Sequence, residues 1–311
     1  MNIVITGGSG FVGSYLCEKL INDGHEIIVV DNLLTGSTEN INHLMHNENF
    51  SFIEHDVQNH IEIETKVDYV LHFASAASPK AYTEHPVNTL KAGSVGTINT
   101  LGLAKKHDAE YLLASTSEVY GDPLISPQTE EYWGNVNPNG ERSMYDEAKR
   151  FAEAAVATYS RSYDLKTKIV RIFNTYGPRM QLNDGRVVTN FIVQALKNEN
   201  ITIYGDGSQT RSFSYVEDTV AGIISLMNSS EYDVFNIGNP NEMTVGQLAE
   251  KIIELTDSTS EIKYLELPND DPKQRKPDIT KAKTKLNWEP KVNLEDGLTK
   301  TIKWVEGQLS K

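Results

Sequence analysis

The chain has 311 residues and a formal charge of −14, from 43 acidic and 29 basic side chains, with one cysteine. This length supports a large buried core and two associated lobes. No basic run is long enough to follow a nucleic-acid backbone, no segment approaches membrane-spanning length, and the lone Cys17 excludes an internal disulfide framework and fits a reducing cytoplasm. The eight histidines are scattered without ligand spacing, so no metal site is expected.

Asn2 to Thr6 is a β-branched apolar run, too short for a signal peptide and without its basic flank. Gly7, Gly8, Gly10 and Gly13 follow, and then Leu16, Leu20 and Ile21 recur at helical spacing, with Cys17 among them as a small core residue. The glycines satisfy both G-x-G-x-x-G (Gly8, Gly10, Gly13) and G-x-x-G-x-x-G (Gly7, Gly10, Gly13). A backbone without side chains can approach a pyrophosphate, and a helix N-terminus offers N–H donors to its charge. A lone glycine motif is as often a plain turn. Here the second strand, HEIIVV, runs into Asp31, near the usual distance for an acid that binds the adenosine ribose hydroxyls. Its charge repels a 2′-phosphate, which favours NAD over NADP.

FSFIEHD, DYVLHFAS, EYLLAST and KIVRIF read as further strands, with helical patterns between them at 88–107 and around Tyr145. This alternation predicts an α/β fold, a doubly wound parallel sheet of Rossmann type, with ligands at the carboxyl ends of its strands. Gly7–Gly13, Asp31, Asp56, Ala74–Ser75 and Thr116–Glu118 would gather there. Tyr145 and Lys149 stand four residues apart, on one helix face, where an ammonium favours the phenolate that a tyrosine base needs.

From Gly177 onward the pattern is irregular, with turns at Pro178, Asp184–Gly185, Gly205–Asp206–Gly207 and Pro240. VEDTVAGIISLMN predicts a helix and DVFNIG a strand, so the chain is expected to return to the first lobe. A helix at TVGQLAEKIIELT, a Pro- and charge-rich loop at PNDDPKQRKPD and a last helix at GLTKTIKWVEGQL complete it. The expected division is 1–178 as an NAD-binding domain, with 216–239 returning to it, and 179–311 mainly as a smaller, interleaved substrate-binding lobe. Tyr120, Tyr176 and Tyr204 follow strand-like stretches, where packing is their default role.

With the glycine turn, STSEVYGDP, YDEAK and RIFNTYGPR in that order, the chain resembles the extended short-chain dehydrogenase/reductases that act on nucleotide sugars. Among these it is most similar to UDP-glucuronate decarboxylases, through PQTEEYWGNVNP, DGRVVTNFIVQAL, ITIYGDGSQTRSFSYVEDTV, GNPNEMTVGQLA and RKPDITKAK, and LNWEPKV. The resemblance covers nearly the whole chain. Departures are local: Ala76 stands where a proline is usual, and Asn139, Glu141, Met144 and Ala148 differ around an unchanged Tyr145 and Lys149.

That resemblance implies a cofactor site, a substrate site and a reaction. NAD would lie along Gly7, Gly10, Phe11, Val12 and Gly13, with Asp31, Asn32, Thr35 and Gly36 at its ribose and Asp56, Val57, Phe73, Ala74 and Ser75 beside it. Tyr145 would take the C4 hydroxyl proton of UDP-glucuronate as NAD oxidises C4. The 4-keto group, β to the carboxylate, accepts the electrons released with CO2; after protonation at C5, C4 is reduced again to give UDP-xylose. Lys149 would bond the nicotinamide ribose and, with the nicotinamide charge, lower the Tyr145 pKa. Thr116 would bond the C4 oxygen, and Ser117 and Glu118 would orient the sugar or a proton-carrying water. Arg211 would bind the carboxylate or hold the water that protonates C5. Asn174, Arg179 and Arg275 look like UDP ligands, and Ser78, Val188, Tyr204 and Gln209 join the substrate site. Bland readings stand beside these: a solvated Lys149, a strand-end Glu118, a solvated loop at Arg275. Within the family the rivals are a 4,6-dehydratase, for which Ser117 is the wrong residue, and a 4-epimerase; outside it, a non-catalytic NAD-sensing regulator. A soluble cytoplasmic homodimer is expected, joined through helices at 88–106 and 145–160, whose Gly93, Gly96, Gly102, Ala152, Ala154 and Ala155 would permit close packing either between subunits or within one.

Overall fold

Alternation along the first strand sets the layering of the molecule. In β1 (Asn2–Thr6), Ile3 and Ile5 belong to one buried cluster and Val4 to another on the opposite face, all three fully buried. The structure, a computed structural model, describes residues 1–266 and 274–311. The chain continues through α1 (Phe11–Asn22), β2 (Glu26–Asp31), β3 (Phe50–Glu54), β4 (Tyr69–His72) and the short α2 (Pro79–Glu84). Next come α3 (Pro86–Lys91), a π-helical turn (Ala92–Gly96), α4 (Thr97–His107), β5 (Glu110–Thr116), α5 (Ser143–Tyr163) and β6 (Thr167–Ile172).

Beyond β6 lie β7 (Thr175–Tyr176), α6 (Val187–Leu196), β8 (Ile201–Tyr204), β9 (Thr210–Ser212), β10 (Ser214–Tyr215), α7 (Val216–Asn228) and β11 (Val234–Ile237). β12 (Glu242–Thr244), α8 (Val245–Leu255), β13 (Ile262–Leu265), β14 (Gln274–Arg275), α9 (Thr280–Leu286) and α10 (Leu294–Leu309) complete the described chain. β11 pairs with β6, so the chain does return to the main sheet. That sheet has seven parallel strands in the order β3-β2-β1-β4-β5-β6-β11, which makes the fold a doubly wound Rossmann sheet. Its order reverses between β1 and β4, where such sheets open a crevice. Two smaller sheets, β8 with β13 and β12-β9-β14, flank the cleft from the later part of the chain.

α1 and α7 cover one face of the sheet, and α4 and α5 the other. Truncating a side chain at the sheet centre, such as the fully buried Leu112 to Ala, costs about 2–5 kcal/mol. The helical pattern at 88–107 forms one run that starts at Pro86, with a π-helical turn in it. Close approach is the local demand there: a Cβ on Gly93 would lie 2.7 Å from the Ala148 Cβ, and one on Gly96 2.7 Å from Val57 Cγ2. Ala148, one of the departures from the family pattern, is thus accommodated by a glycine on the facing helix. The charged loop expected at PNDDPKQRKPD lies partly outside the described residues, and Gln274–Arg275 at its end forms strand β14 beside β9.

Candidate active site

A cleft of about 930 Å³ opens at the carboxyl ends of the sheet strands, within the size range of small-molecule sites. Gly7 has φ +74°, and a Cβ there would lie 2.7 Å from the Ala74 nitrogen. At Gly13 a Cβ would come within 2.2 Å of the Gly7 carbonyl oxygen. Gly7, Gly10 and Gly13 line the cleft, whereas Gly8 backs onto Val29 and Cys17 in the core. The G-x-x-G-x-x-G spacing therefore describes the cleft face of the turn. α1 starts at Gly10 with no side-chain cap and no acidic residue in its first turn, which leaves an electropositive helix end facing this cradle. A dinucleotide pyrophosphate fits a cradle that any Cβ would fill.

At the end of β2, the Asp31 carboxylate accepts hydrogen bonds from the N–H groups of Ser9 (3.0 Å) and Leu33 (2.9 Å). Burial raises its pKa against those bonds. Asp56 accepts from Asn32 Nδ2 (3.1 Å) and from the Gln58 N–H (2.9 Å). Phe11, Val12, Thr35, Gly36, Val57, Phe73, Ala74 and Ser75 line the same half of the cleft.

The other half is built where β5 ends and α5 begins. Thr116 closes β5, and its Oγ1 accepts from the Glu118 N–H (3.2 Å), holding the short turn Ser117–Tyr120. Tyr145, in the first turn of α5, is buried, hydrogen-bonds the Thr116 side chain and stacks on Tyr82 with ring centroids 5.3 Å apart. Burial pushes its phenol pKa up, and the Thr116 bond opposes this. Lys149 is buried, not solvated; its ammonium donates to the Ala114 carbonyl (2.8 Å) and stands 6.0 Å from the Tyr145 ring centre. Burial lowers its pKa to about 8, so at neutral pH it remains charged.

Glu118 is no simple strand-end carboxylate. Arg275 grips both its oxygens, one contact measuring 2.8 Å, and Arg142 donates to it as well. Burial works against its charge, but the guanidiniums of Arg275 and Arg142 overcome this and hold its pKa below the usual range. Arg275 is itself buried, so the reading of a solvated loop does not hold there; β14 fixes it beside Arg211 on β9. Arg179 pairs with Glu18 (2.6 Å) and lies over the Tyr15 ring, and it too lines the cleft. Ser78, Asn174, Val188, Gln209 and Arg211 line the remainder, with a half-exposed Tyr204. Tyr120 and Tyr176 are buried, as packing predicts; Tyr204 is not, because β8 lies at the cleft edge.

Sequence reasoning missed Arg142, Tyr82 and Arg186. Arg142 precedes Tyr145 by three residues, a same-face helical spacing that was legible, whereas Tyr82 reaches Tyr145 only through the packing of α2 and α3 against α5. Arg186 lies near Tyr145 and donates to the Ala77 carbonyl (3.1 Å). No group of three or more His, Cys, Asp or Glu side chains converges on a possible metal position among the described residues.

Residues 4–301 match the family model described as GDP-mannose 4,6 dehydratase. The chain is 53% identical to UDP-glucuronic acid decarboxylase 1 of Xenopus tropicalis, across 99% of this chain and 72% of that protein. It is 54% identical to UDP-glucuronic acid decarboxylase 3 of Arabidopsis thaliana, across 96% of this chain and 87% of the other. Among solved structures, UDP-glucose 4-epimerase of Thermotoga maritima with UDP-glucose superposes with a TM-score of 0.92 at 34% identity, covering 99% of this chain and 100% of that one. UDP-glucuronic acid 4-epimerase of Bacillus cereus, in complex with UDP-glucuronic acid and NAD, superposes with a TM-score of 0.89 at 26% identity, covering 99% and 100%. The glycine cradle, the Tyr145–Lys149 pair and these full-length matches lead to one conclusion: the chain belongs to the extended short-chain dehydrogenase/reductase family that the GDP-mannose 4,6 dehydratase model describes.

Proposed function

We propose that this chain converts UDP-glucuronate to UDP-xylose and CO2, with NAD as a catalytic cofactor that ends each cycle unchanged. The observation that carries this reading is the cluster around Tyr145: Glu118 gripped by Arg142 and Arg275, with Arg211 near enough to act on its charge. Guanidiniums gathered beside a buried phenol suit a substrate with both a diphosphate and a sugar carboxylate. The decarboxylase names of the full-length relatives support it.

Gly7, Gly10 and Gly13 would hold the pyrophosphate and Asp31 the adenosine ribose. Bound there, NAD supplies reversible two-electron oxidation at C4. Tyr145 accepts the C4 hydroxyl proton, with Thr116 on the same oxygen. Because burial raises the phenol pKa, the tyrosine becomes a base only with added positive charge nearby, from Lys149 and the nicotinamide together. The 4-keto acid then loses CO2. Ser117 and Glu118 orient the ring and a water near C5, and Arg211 holds the carboxylate or that water. Asn174, Arg179 and Arg275 remain candidates for the UDP end, and Arg275 must loosen its hold on Glu118 to serve there.

Incubation with UDP-glucuronate followed by NMR tests the reading. CO2 with UDP-xylose is expected. UDP-galacturonate without CO2 would overturn it in favour of 4-epimerisation, the reaction named for the Bacillus cereus neighbour.

The two-lobe division at 178, with 216–239 returning to the first lobe, belongs to this proposal and is supported by the pairing of β11 with β6. So does a cytoplasmic homodimer. Val87, Leu90, Val95 and Ile98 on the 86–107 run and Phe151 on α5 are each 37–60% exposed, an apolar surface on two neighbouring helices that a second copy would cover. Of the small residues there, Gly93, Gly96, Ala152 and Ala155 pack within the subunit, while Ala154 and Gly102 do not. Among the described residues no helix is long and apolar enough to cross a membrane.

A further inference from the structure

A largely buried polar cluster beneath Lys149, with Glu153 and Arg171 part-buried at its centre, has no part in the scheme above. Glu153 follows Lys149 by four residues, as Lys149 follows Tyr145, so the three form one stripe of α5 toward β5. Both oxygens of Glu153 are engaged. Arg171 on β6 donates from Nε (2.9 Å) and Nη2 (2.7 Å), and Ser115 on β5 donates from Oγ. The third nitrogen of Arg171 donates to the Tyr120 hydroxyl (2.9 Å) and to the Glu130 carbonyl (3.0 Å), and Tyr120 donates in turn to Asn236 on β11 (2.8 Å). Glu153, Arg171, Tyr120 and Asn236 all lie outside the cleft lining. The Glu153–Arg171 ion pair therefore ties the helix bearing Tyr145 and Lys149 to β6, and the Ser115 hydroxyl on the same carboxylate ties it to the end of β5 that bears Thr116, Ser117 and Glu118.

Several elements pack around the Lys149 ammonium. β5 presents the Ala114 carbonyl, one residue before Ser115. β4 presents His72, held between Thr6 Oγ1 (2.7 Å) and Thr97 Oγ1 (3.3 Å); burial and Lys149 lower its pKa to about 3, so it is neutral through the working range. α5 presents Tyr145 and Glu153, and β6 presents Arg171 behind Glu153. Among the described residues no carboxylate lies within ion-pair distance of Lys149, and Glu153 is the negative charge that supports it against burial.

We propose that Glu153, clamped by Arg171 and Ser115, is a positioning residue that holds the Lys149 ammonium against the Ala114 carbonyl and keeps it charged. It acts on the reaction and on NAD only through Lys149, and in that sense it rests on the function proposed above.

The test is made on the full chain freed of nucleotide, with two readouts: NAD affinity by calorimetry from pH 6 to 10, and the pH profile of CO2 release. In the wild type both should decline at high pH as Lys149 loses its proton. In Glu153→Gln, an isostere that removes the charge and leaves one acceptor oxygen for Arg171 and Ser115, the alkaline midpoint should move down by about half to one pH unit, as expected for a charge one helical turn away that Arg171 partly offsets. Glu153→Asp, which keeps the charge but shortens the reach, should fall between Gln and the wild type, and it carries the test if Glu153→Gln does not fold. A merely structural role lowers the melting temperature and the amplitude and leaves the midpoint in place; that result, in either variant, overturns the proposal. A wild type that releases no CO2 defeats the decarboxylase reading instead, and the NAD titration then decides the role of Glu153 alone.

Discussion

Gly13→Ala tests whether the glycine turn holds NAD by close backbone approach. A Cβ at this position would sit 2.2 Å from the Gly7 carbonyl oxygen, 2.9 Å from Gly8 Cα and 3.0 Å from the Gly7 carbonyl carbon. A carbon and a carbonyl oxygen approach in ordinary contact to about 3.3 Å, so the start of α1 and the turn must part by about 1 Å. All three obstructing atoms are backbone, and no rotamer change relieves them. A misplacement of about 1 Å in a positioning element costs about 100-fold, here in NAD affinity, which corresponds to about 2.8 kcal/mol. Overpacking lowers the stability of the NAD-free protein by about 1–3 kcal/mol. The control is Gly102→Ala in α4, where nothing lies within 4 Å of the added Cβ. It should stabilise by about 0.5–1 kcal/mol and leave NAD affinity unchanged. Calorimetric titration with NAD, alongside thermal unfolding without it, separates the two effects. If Gly13→Ala binds NAD within threefold of the wild type, the clash relaxes away from the cradle and the pyrophosphate is not held there.

Tyr145→Phe should lower turnover of UDP-glucuronate by about 100- to 10,000-fold while calorimetry finds NAD bound nearly as before; substantial residual turnover would assign the base elsewhere. Lys149 has a pKa of about 8 in the fold against 10.5 for an unperturbed lysine, so the unfolded chain binds more protons between those values and stability rises with pH across that window. The cost of its buried charge is fully present below pH 8, on the order of 3 kcal/mol. Lys149→Met should therefore raise the melting temperature at pH 7 while abolishing activity; a lower melting temperature would mean that the charge is well compensated. Leu90→Glu or Phe151→Glu should convert the proposed dimer to a monomer by sedimentation, and a wild type that is already monomeric would remove the premise.

How far the site was legible depends on how local each cue is. The glycine turn, Asp31 and the Tyr145–Lys149 spacing were readable because each rests on a few neighbouring residues and a known periodicity. The alternation of strands and helices gave the sheet in the same way, and the return of the chain at DVFNIG followed from its resumed apolar pattern. Arg275 illustrates the limit. In QRKPD it reads equally as a loop residue, and only the pairing of β14 with β9 brings it onto Glu118, 157 positions earlier. Gly8 illustrates another: two glycine spacings fit the same residues, and only the packing of Val29 against Gly8 tells which glycines face the cleft.

By itself the sequence determined the sheet, the glycine turn at the end of its first strand and the shared helix face of Tyr145 and Lys149, because hydrophobic period, turn chemistry and helical spacing act over a few residues. Tertiary structure alone decided the charge states. The burial of Lys149, the two guanidiniums on Glu118 and the clamp on Glu153 arise where β4, β5, β6, β14 and α5 converge, and the cost of a charge depends on all of its neighbours at once.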